Sequence, residues 1–508
     1  MEYNLKEQPV YYLREVMNTT TQQPVDLDFT LPDYCADMEK ILKCTVSVKV
    51  FSRTLSAGQL RIEGASLVRI LYTDASRKSL RCCEQNVPFS TSLNVTSEIR
   101  DYVIRCDAKA EYINCRALTP RRVVVHGAIS LNTRILTRDT QSLFVNDEDN
   151  DLETSLANTQ VCQLKLLSQD RFSVNEAVSV NTKKSVETIV RSELISKVTD
   201  YRITSGQVTI SGELLLSLLY ISDAATSDLD RFVTAIPFSQ TLRLPDETQD
   251  INKVELEVCS FDVILKSDIM NDTPVLAVEA NLLAIISGYE KQDISFIADA
   301  YSTEYDTQLA SENMEITTDV KPFDITATTK ANLVMGENRI QKVIDIFTDS
   351  VRISSGISED LLKLNVRSNV SVVAVNSEDE IVCIERQVDF THDHKIENIF
   401  SCVDSLRASV VSLSFRLGDS NDMELRMETA ISGTLMKNEM ISCTTGITAL
   451  QKSESSENSP LKIYYADEGE EVWEIAKHFK TSVASLREEN NLQCDVLEAP
   501  AMLMIVKA

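Results

Sequence analysis

Apolar and polar residues alternate in short runs along most of this chain. Val46, Val48 and Val50 are spaced by polar residues, as are Leu364 and Val366, and Val370 and Val372 continue that pattern. Period-two alternation bounded by turn residues predicts half-buried antiparallel strands. Residues 123–129 and 275–280 are denser apolar runs and predict further strands. Three places break the pattern. Residues 38–42, 186–190 and 340–344 carry apolar side chains at spacings that suit a short helix. Near the end, Val472, Ile475, Ala476 and Phe479 recur at helical spacing, and Val483 and Leu486 start a second helix that Thr481 or Ser482 can cap. The turn Asp467-Glu468-Gly469 ends a preceding strand. Trp473, the only tryptophan, is expected in the core of this tail. The fold class read from the pattern is mainly β with short helices, ending in a small βααβ unit.

The pattern also repeats. Residues 61–72 align with 209–220, which places Gly64 and Gly212 148 positions apart. Pro88-Phe89-Ser90 aligns with Pro237-Phe238-Ser239 at an offset of 149. Two landmarks at nearly one offset imply duplication of a whole unit. A third copy is weaker, with Leu364 to Val375 in place of the glycine-centred strand and Asp389-Phe390-Thr391 in place of Pro-Phe-Ser. The three copies are expected near residues 20–140, 170–292 and 325–442. The expected division is residues 1–150 with an N-terminal arm, 151–308, 309–451, a Ser-rich linker at 452–460, and the tail at 461–508. The acidic run at 146–151 reads as an exposed connection, and 452–460 as a flexible tether on which the tail folds and moves by itself.

Charge and chemistry narrow the function. Apolar content of 43% is enough for packed cores, and a net charge of −27 disfavours a nucleic-acid surface or binding to anionic membranes. No run reaches the ~18 apolar residues that span a bilayer. The opening residues lack the basic and apolar stretches of a signal peptide, so synthesis in a cytoplasm is expected. Twelve cysteines without a Cys-x-x-Cys read as buried free thiols. His392-Asp393-His394 is the densest histidine cluster and lacks further metal ligands nearby, while His126 and His478 read as structural. No phosphate-binding glycine loop and no Gly-x-Ser-x-Gly elbow occurs. No catalytic residue, metal site or cofactor is expected, and a wall hydrolase is disfavoured.

The tail, Tyr464-Tyr465-Ala466-Asp467-Glu468-Gly469-Glu470-Glu471-Val472-Trp473-Glu474-Ile475-Ala476, then Leu486-Arg487-Glu488-Glu489-Asn490-Asn491-Leu492, then Leu503-Met504-Ile505-Val506, resembles a LysM module. The repeated units, with the glycine-centred strand ending in Leu-Tyr and the Pro-Phe-Ser strand, resemble the SPOCS domain of sporulating Firmicutes. Asp299-Ala300-Tyr301-Ser302-Thr303-Glu304-Tyr305 is similar to that family too. The combination resembles the SipL-type spore-coat morphogenetic proteins. That resemblance implies a non-enzymatic adaptor made in the mother cell and held at the forming spore surface. Its LysM module would engage a SpoIVA-like coat ATPase; the alternative ligand is the N-acetylglucosamine glycan of peptidoglycan. The implied groove is formed by Gly469, Glu470, Glu471 and Val472 with Asn490, Asn491 and Leu492. Glycan-binding modules commonly carry Gly-Asp-Thr-Leu where this chain has Gly469-Glu470-Glu471-Val472, Pro-Gly before the last strand where it has Ala499-Pro500-Ala501, and a proline where it has Val506. These departures favour a protein ligand.

Overall fold

A computed structural model describes the chain except residues 1, 97–98, 146–150, 180–185, 187, 224–227, 246–250, 268–273, 337–338, 419–421, 453–460 and 507–508. Six strands come first: β1 (Lys6–Thr30), β2 (Lys40–Ser56), β3 (Gln59–Thr73), β4 (Leu80–Asn94), β5 (Tyr102–Thr119) and β6 (Arg122–Val145). They form two sheets, ordered β1-β6-β5 and β2-β3-β4. The next six are β7 (Leu152–Ser179), β8 (Thr188–Thr204), β9 (Gln207–Asp223), β10 (Asp228–Arg243), β11 (Lys253–Ser267) and β12 (Pro274–Ser302). They repeat the arrangement as β7-β12-β11 and β8-β9-β10. Then β13 (Tyr305–Val334), β14 (Ile340–Ser358), β15 (Leu361–Asn376), β16 (Ile381–Lys395), β17 (Cys402–Leu417) and β18 (Asp422–Lys452) repeat it once more, as β13-β18-β17 and β14-β15-β16. In each set the first strand pairs antiparallel with the last, and a three-strand meander forms the second sheet.

Each set buries the inner faces of its two sheets against each other. Val25, Val125 and Ile129 meet Ile62, Val68 and Ile70 in the first set. Leu276, Val278 and Leu282 meet Ile210, Leu214 and Leu218 in the second. The sets also meet one another. Leu71, Val190, Leu219, Phe347 and Val373 join the three meanders in one apolar cluster, and Val10, Leu143, Val161, Phe296 and Ile316 join the three long pairs in another.

The two sequence landmarks turn out to be cross-strand partners. Gly64 on β3 lies opposite Phe89 on β4, and Gly212 on β9 lies opposite Phe238 on β10. The phenyl ring lies over the glycine, so a Cβ on Gly64 would come within 2.5 Å of Phe89 Cζ and one on Gly212 within 2.6 Å of Phe238 Cζ. In the third set Phe390 lies opposite Val366, which explains why the glycine signal fades there.

Three expectations need correction. The stretches at 38–42 and 340–344, and the described residues of 186–190, are not helices: they lead into or begin β2, β8 and β14. Each strand carries a register shift at its start, between Ile41 and Lys43, Ile189 and Arg191, and Ile340 and Lys342. Ile41, Ile189 and Val343 pack on the inner core of their own set, while Leu42, Val190 and Ile344 pack on the cluster that joins the meanders, so adjacent apolar residues serve opposite faces of a strand and mimic helical spacing. The expected division at 308–309 lies on β13, four residues after that strand begins at Tyr305. The polar residues from Thr307 to Asn313 belong to a long paired strand. Most of the acidic run and the Ser-rich linker, residues 146–150 and 453–460, lie outside the described residues. Asp151 accepts hydrogen bonds from the hydroxyls of Tyr3 and Ser302. Among the described residues no helix is long and apolar enough to cross a membrane.

The C-terminal module and its candidate binding face

The tail contains β19 (Leu461–Ala466), α1 (Val472–Phe479), α2 (Val483–Asn490) and β20 (Ala501–Val506), with β19 and β20 antiparallel. Ala466, Val472, Ile475, Ala476, Leu486, Leu497, Leu503 and Ile505 form its core. Ser482 caps α2, its hydroxyl accepting from Ser485 N at 3.0 Å. Thr481 is buried and donates to the carbonyl of Val506.

The turn that begins the expected groove is bonded into the module. Gly469 has φ +91°, which favours glycine, although a Cβ there would meet nothing within 4 Å. Gly469 N donates to Leu497 O, Leu497 N to Glu470 O, and Val472 N to Asp495 O, each within 2.9 Å. The Glu470 carboxylate accepts from Asp467 N and from the Tyr464 hydroxyl, both at 2.9 Å. Through that hydrogen bond the carboxylate holds the Tyr464 hydroxyl above its ordinary pKa. Glu471 is exposed, and Val472 is a core residue. On the second loop, the Asn490 side chain donates to Leu486 O and Met504 O and accepts from Met504 N at 2.6 Å. Asn490 therefore ties α2 to β20. Asn491 ends α2 in the left-handed conformation, and Leu492 packs half-buried on the core. The turn 469–472 is thus hydrogen-bonded to 495–497, and Leu492 meets it through the shared core. Of the seven expected groove residues, Gly469, Glu471 and Asn491 face solvent fully.

A second face was missed. Ile463 lies opposite Met504 and Tyr465 opposite Met502, on the side of the two-stranded sheet away from the helices. With Leu461 they form an apolar surface, and Tyr465 is 75% exposed. The signal was present: β19 and β20 carry apolar residues in both phases of the alternation, and a strand that does so is apolar on both faces.

Trp473 has a second role beside core packing. It packs against the module's core, as expected, but only half-buried, because its outer edge faces the end of β12. Its indole N–H donates to Asp299 Oδ2 at 2.8 Å, and its ring meets Tyr301 edge-on at 5.0 Å.

Elsewhere, strands of all three sets line a cleft of about 1290 Å³. Arg53 pairs with Glu257, and Arg105 and Lys253 pair with Glu255. Burial alone would raise Glu255, but Arg105 and Lys253 beside it hold it down to about 2. Glu255 and Glu257 are each paired to a cation of the first set, which suits cohesion between sets. His394 stacks on Phe323, His126 Nδ1 lies 2.9 Å from Asp26, and His478 is exposed on α1. No group of His, Cys, Asp and Glu fit to hold a metal occurs among the described residues. The twelve cysteines are unpaired, with Cys402 and Cys494 exposed. Burial pushes the thiols of Cys83 and Cys162 up to about 11.

The comparisons agree with this anatomy. The family described as SipL, SPOCS domain matches residues 37–118 and 185–265, which run from β2 to β5 and from β8 to β11. The LysM domain family matches residues 467–503. No curated protein and no solved structure matches the chain. Both kinds of domain are binding domains, and the SPOCS domain associates the chain with sporulation. The chain carries two segments of the SipL, SPOCS domain family and a C-terminal LysM domain.

Proposed function

We propose that this chain is a non-enzymatic adaptor of spore-envelope assembly. It is made in the mother cell, held at the forming spore surface, and binds a SpoIVA-like coat protein through its LysM module. The observation that carries the reading is the exposed apolar face of β19 and β20, with Leu461, Ile463, Tyr465, Met502 and Met504 side by side. Apolar patches rimmed by polar residues mark protein-binding sites. Asp467, Glu471 and Glu498 are exposed near this sheet and supply such a rim. The body serves as a scaffold of three units, near 1–150, 151–308 and 309–451, and the repeated strand order supports this.

Glycan binding by the turn Gly469–Val472 is the second reading, supported by the LysM match itself. Against it, Glu470 spends both carboxylate oxygens on Tyr464 and Asp467. The test is capture from sporulating cells by the full chain, beside sedimentation with purified peptidoglycan. Ile463→Glu with Met502→Glu is expected to abolish capture of the coat protein and to leave the chain folded. Retained capture, or peptidoglycan binding that survives this pair and is lost with Glu471→Lys, moves the conclusion to glycan.

A further inference from the structure

The segment Asp299-Ala300-Tyr301-Ser302-Thr303-Glu304-Tyr305-Asp306 has no role in the reading above. In the structure it is where the module rests. Tyr301 is 3% exposed and lies in the same apolar cluster as Ala466, Val472, Ile475 and Leu503. A body residue thus completes the module's core. The Tyr301 hydroxyl donates to Thr481 O at 2.7 Å, and burial pushes its pKa up. Asp299 accepts from two directions, from the Trp473 indole at 2.8 Å and from Lys477 Nζ at 2.8 and 2.6 Å. Lys480 pairs with Asp306 and lies 3.5 Å from Tyr305 O. That hydrogen bond holds the Asp306 carboxyl below its ordinary value.

We propose that residues Asp299 to Asp306 are a docking site for the chain's own LysM module, which is held on the body through its Trp473 face. The contact combines a buried aromatic anchor, a shared carboxylate and an outer ion pair, the composition of a specific interface. The module is not a bead on a tether: it has one seat. Docking also sorts its surfaces. The α1 face with Trp473, Lys477 and Lys480 is shut, while the apolar sheet and the turn Gly469–Val472 point outward. Two of the five basic side chains between Lys462 and Lys507 are taken up by body carboxylates. A ligand that needs the Trp473 face must compete with the body, whereas one that uses the sheet face need not. The inference concerns a different face from the proposed partner site, so partner capture can fail with docking intact.

The single tryptophan makes the contact directly readable. In the full chain, Trp473 is expected to emit at short wavelength and to resist acrylamide. Asp299→Lys or Lys477→Glu alone is expected to red-shift the emission and raise the quenching constant at least twofold. The double charge swap is expected to restore part of the protection, which a merely misfolded variant would not show. In a second measurement, a protease site is placed within residues 453–460. After cleavage at micromolar concentration, the tail is expected to co-elute with the body in gel filtration, and to separate in Lys477→Glu. Full quenching of Trp473 in the unaltered chain, or separation of its cleaved tail, would overturn the proposal.

Discussion

One methyl group added at Gly212 tests the repeat architecture. The residue lies on the central strand β9, opposite Phe238, and the phenyl ring occupies the space of the missing side chain. In Gly212→Ala the new Cβ would come 2.6 Å from Phe238 Cζ and 2.4 Å from the carbonyl oxygen of Lys197. The first contact is relieved by swinging the ring, but the ring packs 5.8 Å from Phe172 and helps close the second sandwich. The second contact is with backbone, so relief there means moving β8. Overpacking of this kind costs about 1–3 kcal/mol, against a gain of about 0.4–1 kcal/mol from stiffening the unfolded chain. A net loss of about 1–2 kcal/mol is expected. The protein has several packed units, so a single global unfolding energy is ill-defined. Hydrogen exchange of the amides on β8 to β10 isolates the local effect: their protection should fall about 5- to 30-fold. Phe238→Leu should relieve the ring contact and make the double variant less destabilised than the sum of the singles. Gly64→Ala should behave alike on β2 to β4, since its Cβ would meet Lys49 O at 2.2 Å. An unchanged exchange rate in Gly212→Ala, with no coupling to Phe238, would refute the argument that the ring excludes a side chain.

Three further outcomes follow from single groups. Glu255 is held down to about 2 when folded, so it adds stability above the ordinary carboxylate range. That contribution should fade as pH drops from about 4.5 towards 2, and Glu255→Gln should flatten this part of a urea-midpoint profile. Ile475→Ala removes a core side chain of the module and should destabilise it by about 2–5 kcal/mol, seen as early melting of the Trp473 signal. Asn490→Ala breaks two hydrogen bonds between α2 and β20 and one within α2, and should cost about 1–3 kcal/mol, measured by the same signal.

Much of the fold could be read from the chain because sheets write their faces as alternation. The duplication was legible through Gly64 with Phe89 and Gly212 with Phe238, since each pair shares one cross-strand contact and must be kept or lost together. Where Val366 stands opposite Phe390, that constraint is gone and so is the signal. The starts of β2, β8 and β14 were misread because a strand that is apolar on both faces, as at Ile41 and Leu42, sets apolar residues side by side as a short helix does. In the module, the helices and the Ser482 cap were legible as local patterns. The location of Trp473 was not, because its partners Asp299 and Tyr301 lie over 170 residues away. The motif gave Asn490 its expected place beside the groove, but not its bonds to Met504, which tie the module together and depend on a strand 14 residues away.

The charged pairs at the cleft bear on why a scaffold of repeated units assembles in one arrangement. Three similar sandwiches with apolar contact faces have several ways to pack, and apolar contact alone discriminates weakly between them. Near the starts of β5, β11 and β17 the chain places Arg105, Glu255 and Asp404, one cation and two anions. Arg105 meets Glu255, and Asp404 is bonded at 3.0 Å to Arg134 of the first set. Arg191 of the second set reaches Asp345 of the third at 3.0 Å, both nearly fully buried. Exchanging two sets would bring like charges together or leave a charge buried without its partner, at a cost of several kcal/mol. Such pairs add little net stability beside apolar side chains of the same volume. Their value lies in rejecting the wrong order. A body with one allowed arrangement gives Asp299 and Tyr301 a fixed position, and through them gives the LysM module a fixed outward face. On the proposed adaptor reading, that geometry sets the direction in which a partner is presented.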